Sequence, residues 1–306
     1  MTVSTDHNTL TFAFPEVDPA AVLHITFHRT LRVPDDDTTY GLPPSLGSFA
    51  LRETTNGAAD VLMPMWQSEA AWIDFTAPKG YSFLVKVGVG GINAITGDAF
   101  TAEPDFDAGD YLETDEQPWL DGYRVDATTV RQFVARRLGT GYTVAEQLTG
   151  AHSGALEFSV VPLRRDKWQH IAPIVADGLC FAAPPDDPAM GLGAGGSIAQ
   201  SIATPIQPHE NWCQDVSERA SVRIIDSASW QQLTDEPPHH RPLTIEEYAQ
   251  YGFPWFAWYD DTLARQGASP FETVKTVREV GTDLGESPLP DNTGFTPPTP
   301  HIVGGA

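Results

Sequence analysis

The glycine-rich stretch from Gly191 to Ser197 has the spacing of two kinds of functional motif. Its glycines follow the G-x-G-x-x-G pattern of dinucleotide-binding proteins, and Asp215 lies near the position of a ribose-binding carboxylate. This fingerprint binds a pyrophosphate when a strand leads directly into the glycines and a helix follows them. Because the proline-rich stretch 184–190 intervenes here, the pattern predicts a flexible loop and not a nucleotide site.

The same stretch also resembles a relaxed nucleophile elbow with Ser197 as the nucleophile. Asp215 or Asp226, and then His239 or His240, follow it in the order of a hydrolase triad. A serine nucleophile needs an adjacent base and an oxyanion hole, and an elbow needs a preceding strand that strains it. Since no such strand is evident, a serine hydrolase around Ser197 is an alternative interpretation.

The metal-ligating residue types lack a recognised spacing. His24 and His28 share one face of a predicted strand, but positions i and i+4 are about 13 Å apart at the rise of a strand. The triplet 35–37 is acidic, yet no calcium-binding loop with a terminal glutamate follows it. The sequence therefore predicts no metal and no cofactor, and the acidic triplet is expected to be a surface turn.

Large aromatic residues lie among acidic residues in the second half of the chain. Trp212 and Trp230 belong to this group, and a predicted short helix at 254–259 contains more of them. Aromatic rings beside paired carboxylates are typical of glycosidases, although burial in the core is the common fate of such rings. A cluster of this kind also suits a docking surface. We expect an interaction surface made of Trp255, Phe256, Trp258, Tyr259, Pro297 and Pro300.

Charge and composition exclude several classes of protein. The net charge of −23 repels phosphate groups, so no nucleic-acid partner is expected. No stretch reaches the roughly 20 consecutive apolar residues of a membrane span, and stretch 1–10 lacks the pattern of a secretory signal. Cys180 and Cys213 are too few for a disulfide framework, although the sequence does not decide whether they pair. We expect a soluble, cytoplasmic protein.

The pattern of apolar residues predicts a β-rich α+β fold. Alternation over 83–89 predicts a half-buried central strand, closed by a Gly-Gly turn with a return strand from residue 92. Further antiparallel strands form a sandwich-like core. The predicted organisation is a β-rich domain at 1–240, a helical segment at 241–281 packed on it, and an irregular Pro/Thr/Gly-rich tail at 282–306.

Three capping boxes predict where helices begin. Thr143 with Glu146 precedes a short helix that ends at Gly150. Two further boxes lie in the C-terminal region, with their caps at Thr244 and Ser269. The last of these helices is expected to run to Gly281.

Several segments together resemble a group of uncharacterised bacterial proteins. The residues that carry the resemblance are Met65-Trp66-Gln67, Val85-Lys86-Val87-Gly88, Gln117-Pro118-Trp119-Leu120, Arg131-Gln132-Phe133-Val134, Gly141-Tyr142-Thr143-Val144 and Pro254-Trp255-Phe256. The resemblance implies one integrated unit and transfers no activity, no ligand and no site residue.

The sequence therefore favours a non-enzymatic binding or assembly protein. Its aromatic cluster and the Pro-rich tail suit a protein partner or a homo-oligomer, and no small-molecule ligand is identified. The alternative is a hydrolase that uses either a carboxylate pair on sugars or Ser197 as nucleophile.

Overall fold

The computed structural model of the chain describes residues 2–6, 8–53, 60–168, 190–244, 247, 250, 256–258, 269–286 and 301–303. The expected β-rich α+β class is confirmed in these ranges, because strands of two sheets make up most of the regular structure.

The larger sheet has nine strands in the order β1-β2-β3-β7-β13-β15-β4, with β11 paired to β7 and β12 paired to β13. Its pairs are antiparallel except for β15 with β4. The strands are β1 (Thr2–Asp6), β2 (Thr9–Ala13), β3 (Val22–Thr30), β4 (Thr39–Tyr40), β7 (Ala70–Thr76), β11 (Trp119–Leu120), β12 (Gly122–Arg124), β13 (Thr129–Arg137) and β15 (Met190–Ala199).

The smaller sheet has seven strands in the order β10-β8-β14-β16-β6-β5, with β9 paired to β8. Here β16 and β6 run parallel. The strands are β5 (Arg52–Glu53), β6 (Asp60–Met65), β8 (Phe83–Val89), β9 (Ile92–Asn93), β10 (Leu112–Glu113), β14 (Leu156–Pro162) and β16 (Glu218–Asp226). A separate parallel pair joins β17 (Phe256–Trp258) to β18 (His301–Val303).

Helices are short throughout the described chain. The α-helices are α1 (Val144–Thr149), α2 (Ser227–Thr234) and α3 (Val277–Asp283), and single 3₁₀ turns span Arg165–Lys167, His209–Asn211 and Pro270–Thr273. Among the helices in the described ranges, none has the length and hydropathy that a membrane crossing requires.

The two sheets pack face to face around a common core. Strand β3 shows the expected alternation, with Leu23, Ile25 and Phe27 buried while His24 is exposed. Across the interface, the ring of Phe27 meets the ring of Phe158 from β14 edge-on at 5.7 Å. Apolar residues at every second position of facing strands therefore form a sandwich core.

The central strand β8 is more buried than its pattern predicts. All seven residues of Phe83–Val89 are buried, so the expectation of a half-buried strand was wrong. Lys86 is 0% exposed, and its ammonium contacts the carboxylate of Asp110. It also donates to the Thr101 hydroxyl at 3.0 Å and to the Glu103 carbonyl at 2.6 Å. These partners compensate for the cost of burying a charge.

The hairpin that follows β8 confirms the predicted Gly-Gly turn. Strand β9 returns antiparallel, with Val89 opposite Ile92. Gly90 and Gly91 have φ values of +62° and +85°. A two-residue hairpin turn of this kind requires positive φ at both positions, which glycine adopts without a steric penalty.

The capping boxes are present, but the last predicted helix is divided. Thr143 and Glu146 cap α1, which ends at Gly150 with φ of +71°. The box that begins at Ser269 caps a 3₁₀ turn of four residues. A second box, Thr276 with Glu279, starts α3. The expectation of one helix running to Gly281 was therefore wrong.

The glycine-rich stretch is a buried strand, and the expectation of a flexible loop was wrong. Strand β15 pairs with β13 along most of its length. A Cβ atom on Gly195 would lie 2.4 Å from the Val134 side chain, and one on Gly154 would lie 2.0 Å from the Met190 carbonyl. Glycine is thus required by close packing against neighbouring segments.

Two further expectations concern aromatic segments. The prediction of a helix at 254–259 was wrong for the three described residues of this range, because Phe256–Trp258 forms strand β17. Trp255, Tyr259, Pro297 and Pro300 of the predicted interaction surface lie outside the described residues. The question of a bond between Cys180 and Cys213 also lies partly outside them, since stretch 169–189 is not described.

Candidate functional site

A polar cavity of about 260 Å³ lies where four separate parts of the chain converge. A turn after β3, the two paired strands β13 and β15, and the start of α3 form its walls. Its lining residues are Asp35, Asp36, Asp37, Arg131, Ser197, Thr276, Arg278 and Glu279.

Gly196 on β15 allows the acidic turn to approach the sheet. A Cβ atom at this position would lie 2.2 Å from the carbonyl oxygen of Pro34. The side chain of Gln132 holds the segment before the turn, since its Nε2 donates to the Leu31 carbonyl at 2.9 Å and its Oε1 accepts from the Val33 amide at 3.0 Å. The turn at 35–37 is therefore fixed above β15, where Ser197 lies.

Arg131 and Ser197 are cross-strand partners in this sheet. Their Cα positions are paired in the β13–β15 ladder, and the ladder shifts register between Arg131 and Phe133. A bulge of this kind locally twists a strand and redirects its side chains. The bulge therefore lies directly beside the cavity.

Helix α3 is anchored to the acidic turn by Asp35. The Asp35 carboxylate accepts from the Arg278 amide at 2.8 Å, and the Arg278 guanidinium donates to the Asp35 carbonyl at 2.9 Å. Val277 and Val280 pack with Tyr142 in a small apolar cluster. These contacts set the position of the helix against the sheet.

Arg131 carries the unusual chemistry of the cavity. Its Nε and Nη1 atoms are buried without a hydrogen-bond partner among the described residues. Glu279 is a charged neighbour, with its Oε2 atom 4.0 Å from Nη1, beyond hydrogen-bond length. The Arg131 side chain lines the cavity and keeps 22% of its surface exposed, while its unpaired Nε and Nη1 atoms lie beneath that surface.

Most carboxylates of the cavity already accept hydrogen bonds from other groups of the protein. Glu279 accepts from the Thr276 amide at 2.7 Å as part of the capping box. Asp36 accepts from the Thr38 amide at 2.8 Å and from the Tyr40 hydroxyl at 2.9 Å. Burial raises the pKa of Asp35, and hydrogen bonds from Thr276 and Arg278 oppose this shift. These bonds explain why the acids leave the Arg131 N–H groups unpaired.

The acidic turn does not form a metal centre with its neighbours. In the described part of the chain, no group of three or more histidine, cysteine, aspartate or glutamate residues has a geometry that holds a metal. Asp37 is exposed, and Asp36 binds within its own loop. The acidic triplet is thus a structured turn.

The structure does not assemble the serine-hydrolase residues around Ser197. Ser197 lies within a strand, and no histidine of the described chain lines its cavity. Asp226 instead caps α2 by accepting from the Ala228 amide at 3.0 Å. The Nε2 atom of His239 lies 2.8 Å from the Glu69 carboxylate. Asp215 lines a different cleft.

His239 belongs to a clasp that holds a C-terminal segment on the sheet. Glu69 is 1% exposed and also accepts from Arg29 Nε at 2.7 Å and from the Trp66 amide at 2.9 Å. The Trp66 indole donates to the His239 carbonyl at 3.0 Å, and Arg29 donates to the His240 carbonyl at 2.7 Å. The contacts of both histidines are therefore structural.

Two of the aromatic residues considered as sugar platforms, Trp212 and Trp230, are buried. Trp212 is 3% exposed and Trp230 is 1% exposed, so the core interpretation applies to both. Cys213 follows Trp212 and forms no disulfide with a described residue, and burial raises the pKa of its thiol.

Sequence reasoning did not single out four of the eight residues that line the cavity, namely Arg131, Thr276, Arg278 and Glu279. Arg131 and Arg278 carry no motif, and their proximity to the acidic turn depends on tertiary packing. One signal was present, because Thr276-x-x-Glu279 matches a capping box and would have located the start of α3.

Comparisons of the chain with protein-family models, with curated proteins and with solved structures find no match. The resemblance to a group of uncharacterised bacterial proteins stays a prediction, and the functional argument rests on the geometry of the cavity.

Proposed function

We propose that this protein is a non-enzymatic binding protein whose polar cavity holds a small molecule with a carboxylate or phosphate group. The observation that carries the proposal is the guanidinium of Arg131, with two buried N–H positions that no described residue satisfies. Arginine presents its donors in a planar fork that matches both carboxylate and phosphate.

The unliganded protein carries the energetic cost of the unpaired Arg131 donors. A buried donor without a partner costs about 1–3 kcal/mol, and the cost is larger for a charged group. A ligand oxygen that accepts from Arg131 recovers this cost on binding. The hydroxyl group of Ser197 lines the same cavity and supplies a neutral hydrogen-bonding group beside it.

The overall charge of the protein makes a local cation necessary for such a ligand. With a net charge of −23, the molecule repels anions at long range. Arg131 and Arg278 supply positive charge within the cavity, beside the four acidic residues of the same lining, Asp35, Asp36, Asp37 and Glu279. A cavity of about 260 Å³ is slightly smaller than the roughly 300 Å³ at which drug-sized sites begin, and this size favours a small metabolite.

The arrangement supports binding more than catalysis. Asp35, Asp36 and Glu279 are bound by backbone or side-chain donors of the fold. Ser197 has no histidine base beside it among the described residues. A cytoplasmic location is part of the proposal and is supported by the content of two cysteines in 306 residues, which is too low for a disulfide framework.

The test measures anion binding by calorimetry and by thermal unfolding, with acetate, succinate and inorganic phosphate as probes. At least one probe should bind wild-type protein and raise its unfolding midpoint by a few degrees at saturation. Arg131→Gln should abolish the effect. Arg137→Gln is the matched control, because Arg137 lies on the same strand and is exposed outside the cavity lining.

Binding of none of these probes, or equal binding by the wild type and Arg131→Gln, would contradict the proposal.

Self-association is a second proposal, supported by the β17–β18 pair. These strands of three residues pair with each other, and the other edge of each has no partner strand among the described residues. An isolated two-stranded sheet has marginal stability, and open strand edges favour pairing with another chain. We propose that a second copy extends this sheet.

Light scattering after size exclusion tests this proposal. The full chain should be oligomeric, and a chain truncated after Glu286 should be monomeric. The truncation keeps Glu286 because this residue contacts the Tyr142 hydroxyl and forms an ion pair with Arg136 at 3.5 Å. A monomeric full chain at micromolar concentration would contradict self-association.

A further inference from the structure

A second cleft, of about 390 Å³, lies between the turn that precedes β10 and the segment that follows β15. It is separate from the cavity around Arg131, since the two share no lining residue. The residues that line it are Phe106, Asp107, Ala108, Gly109, Tyr111, Thr204, Pro205, Gln207 and His209.

The first wall of the cleft is held rigidly by its own hydrogen bonds. The Asp105 carboxylate accepts from the Asp107 amide at 3.0 Å and from the Ala108 amide at 2.8 Å. Asp110 accepts from the Asp105 amide at 2.9 Å, and its other carboxylate oxygen contacts the buried Lys86 ammonium. The aromatic residues at the ends of this turn are therefore presented on a fixed backbone.

The second wall is held by a buried carboxylate. Glu113 is 2% exposed and accepts from the Ile206 amide at 2.9 Å and from the Gln207 amide at 3.0 Å. The Gln207 side chain accepts from Asn211 at 2.9 Å. Both walls are thus formed before any ligand binds, which reduces the entropy lost on binding.

The rings in the cleft are inclined steeply to one another. The ring centroids of Phe106 and Tyr111 are 5.6 Å apart and their planes meet at 70°. Phe106 and His209 are also 5.6 Å apart, with an angle of 63°. Tyr111 is 3% exposed, so its ring offers a guest almost no surface. A guest in the cleft meets the inclined rings of Phe106 and His209, as in the aromatic cages that bind methylated ammonium groups.

The charged residues of the cleft favour a ligand with a positive charge. Asp107 contributes a carboxylate, and no lysine or arginine of the described chain lines the cleft. Together with the net charge of −23, this environment repels anions and attracts cations.

We propose that this cleft binds a small organic cation with a methylated or quaternary ammonium group. The ring of Phe106 contacts the methyl groups by cation–π attraction beside the ring of His209, and Asp107 supplies the opposing charge. The inference is independent of anion binding at Arg131.

Calorimetry on the full chain tests the proposal with choline and with its neutral isostere, in which carbon replaces the nitrogen. The two probes have nearly the same shape and apolar surface, so the difference between them isolates the charge. Choline should bind at least tenfold more tightly than the isostere. Phe106→Leu keeps apolar volume but removes the ring, and it should weaken choline binding at least fivefold.

Asp107→Asn should weaken choline binding about threefold. Asp98→Asn is its matched control, because it removes the same charge from an exposed residue outside the cleft lining. Equal affinity of choline and the isostere would overturn the proposal, as would a lack of saturation by choline up to roughly 100 mM. If Phe106→Leu fails to fold, the isostere comparison and the Asp107 and Asp98 variants still decide between these results.

Discussion

Gly196 and Pro34 approach so closely that a Cβ atom on Gly196 would lie 2.2 Å from the Pro34 carbonyl oxygen. This approach fixes the acidic turn over β15 and so determines the shape of the cavity around Arg131. The obstructing atom belongs to the backbone, and no side-chain rotation can relieve the overlap.

Replacement of Gly196 by alanine should therefore displace the turn. We expect the free energy of unfolding to fall by about 1–3 kcal/mol, as is typical of overpacking, and anion binding at Arg131 to weaken. Urea denaturation and calorimetry measure the two effects. Ser197→Ala changes the neighbouring residue without adding volume, and it should leave the free energy of unfolding within about 0.5 kcal/mol of wild type. Equal stability of both variants would show that the turn adjusts freely.

Two arginines of strand β13 provide a contrast between a ligand-binding and a structural role. Arg136 is 5% exposed, donates to the Ser68 hydroxyl at 3.0 Å and lies 3.6 Å from the Tyr142 ring centre. Arg136→Met should destabilise the unliganded protein by about 3 kcal/mol. Arg131→Met should be neutral or stabilising, because it removes donors that lack partners. Denaturation in ligand-free buffer compares the two, and a comparable loss in both variants would argue that Arg131 is structural.

The clasp around Glu69 should contribute strongly to stability. Glu69→Gln replaces a carboxylate that accepts from Arg29 and Trp66 and contacts His239. Because the charge of Arg29 then loses its partner, we expect a loss of about 3–5 kcal/mol. Glu103→Gln is the control, since Glu103 pairs with Arg219 at an exposed site and its loss should cost less than about 1 kcal/mol. Chemical denaturation of both variants measures the difference, which should vanish if the clasp is unimportant.

Because of Asp121, we expect the free energy of unfolding to depend on pH, and a single variant isolates this effect. Burial raises the pKa of Asp121 to about 7, opposed by hydrogen bonds from Trp119 and Gln200. The unfolded chain has the ordinary value of 3.8. The folded state thus binds the proton more tightly, so this contribution to stability is complete below pH 4 and is lost as the pH rises through 7.

The free energy of unfolding should decrease by at most about 1.4 kcal/mol per pH unit in this window because of Asp121. Asp121→Asn should remove that slope, while the other buried carboxyl groups retain theirs. Urea denaturation of both proteins at pH 4, 5.5, 7 and 8 gives the difference in their free energies of unfolding at each pH. If the free energies of unfolding of the two proteins changed in parallel with pH, Asp121 would be ionised throughout the range.

Elements with local signals could be predicted from the sequence. The alternation of β3, the Gly90-Gly91 hairpin and the Thr143 capping box depend on neighbouring residues, and each is present. The burial of Lys86 could not be predicted, because its compensation comes from Thr101, Glu103 and Asp110, which the fold brings beside it.

The sequence-based predictions failed for the glycine-rich strand and for the cavity for the same reason. Glycines usually indicate loops, and only the close approach of Pro34 and Val134 explains them in β15. Likewise, Arg131 meets Ser197 through strand pairing and meets the acidic turn through packing. Neither contact leaves a pattern in residues that are close in sequence.

The hydrogen bond between the Asp35 carboxylate and the Arg278 amide joins residues 243 positions apart. A growing polypeptide therefore cannot complete the cavity until Arg278 has left the ribosome, whereas hairpins such as β8–β9 can form much earlier. Such a distant contact also imposes a large loop-closure cost, which slows its formation. Anion binding at Arg131 would consequently report that the contact between Asp35 and Arg278 has formed, and shorter partial chains would lack it.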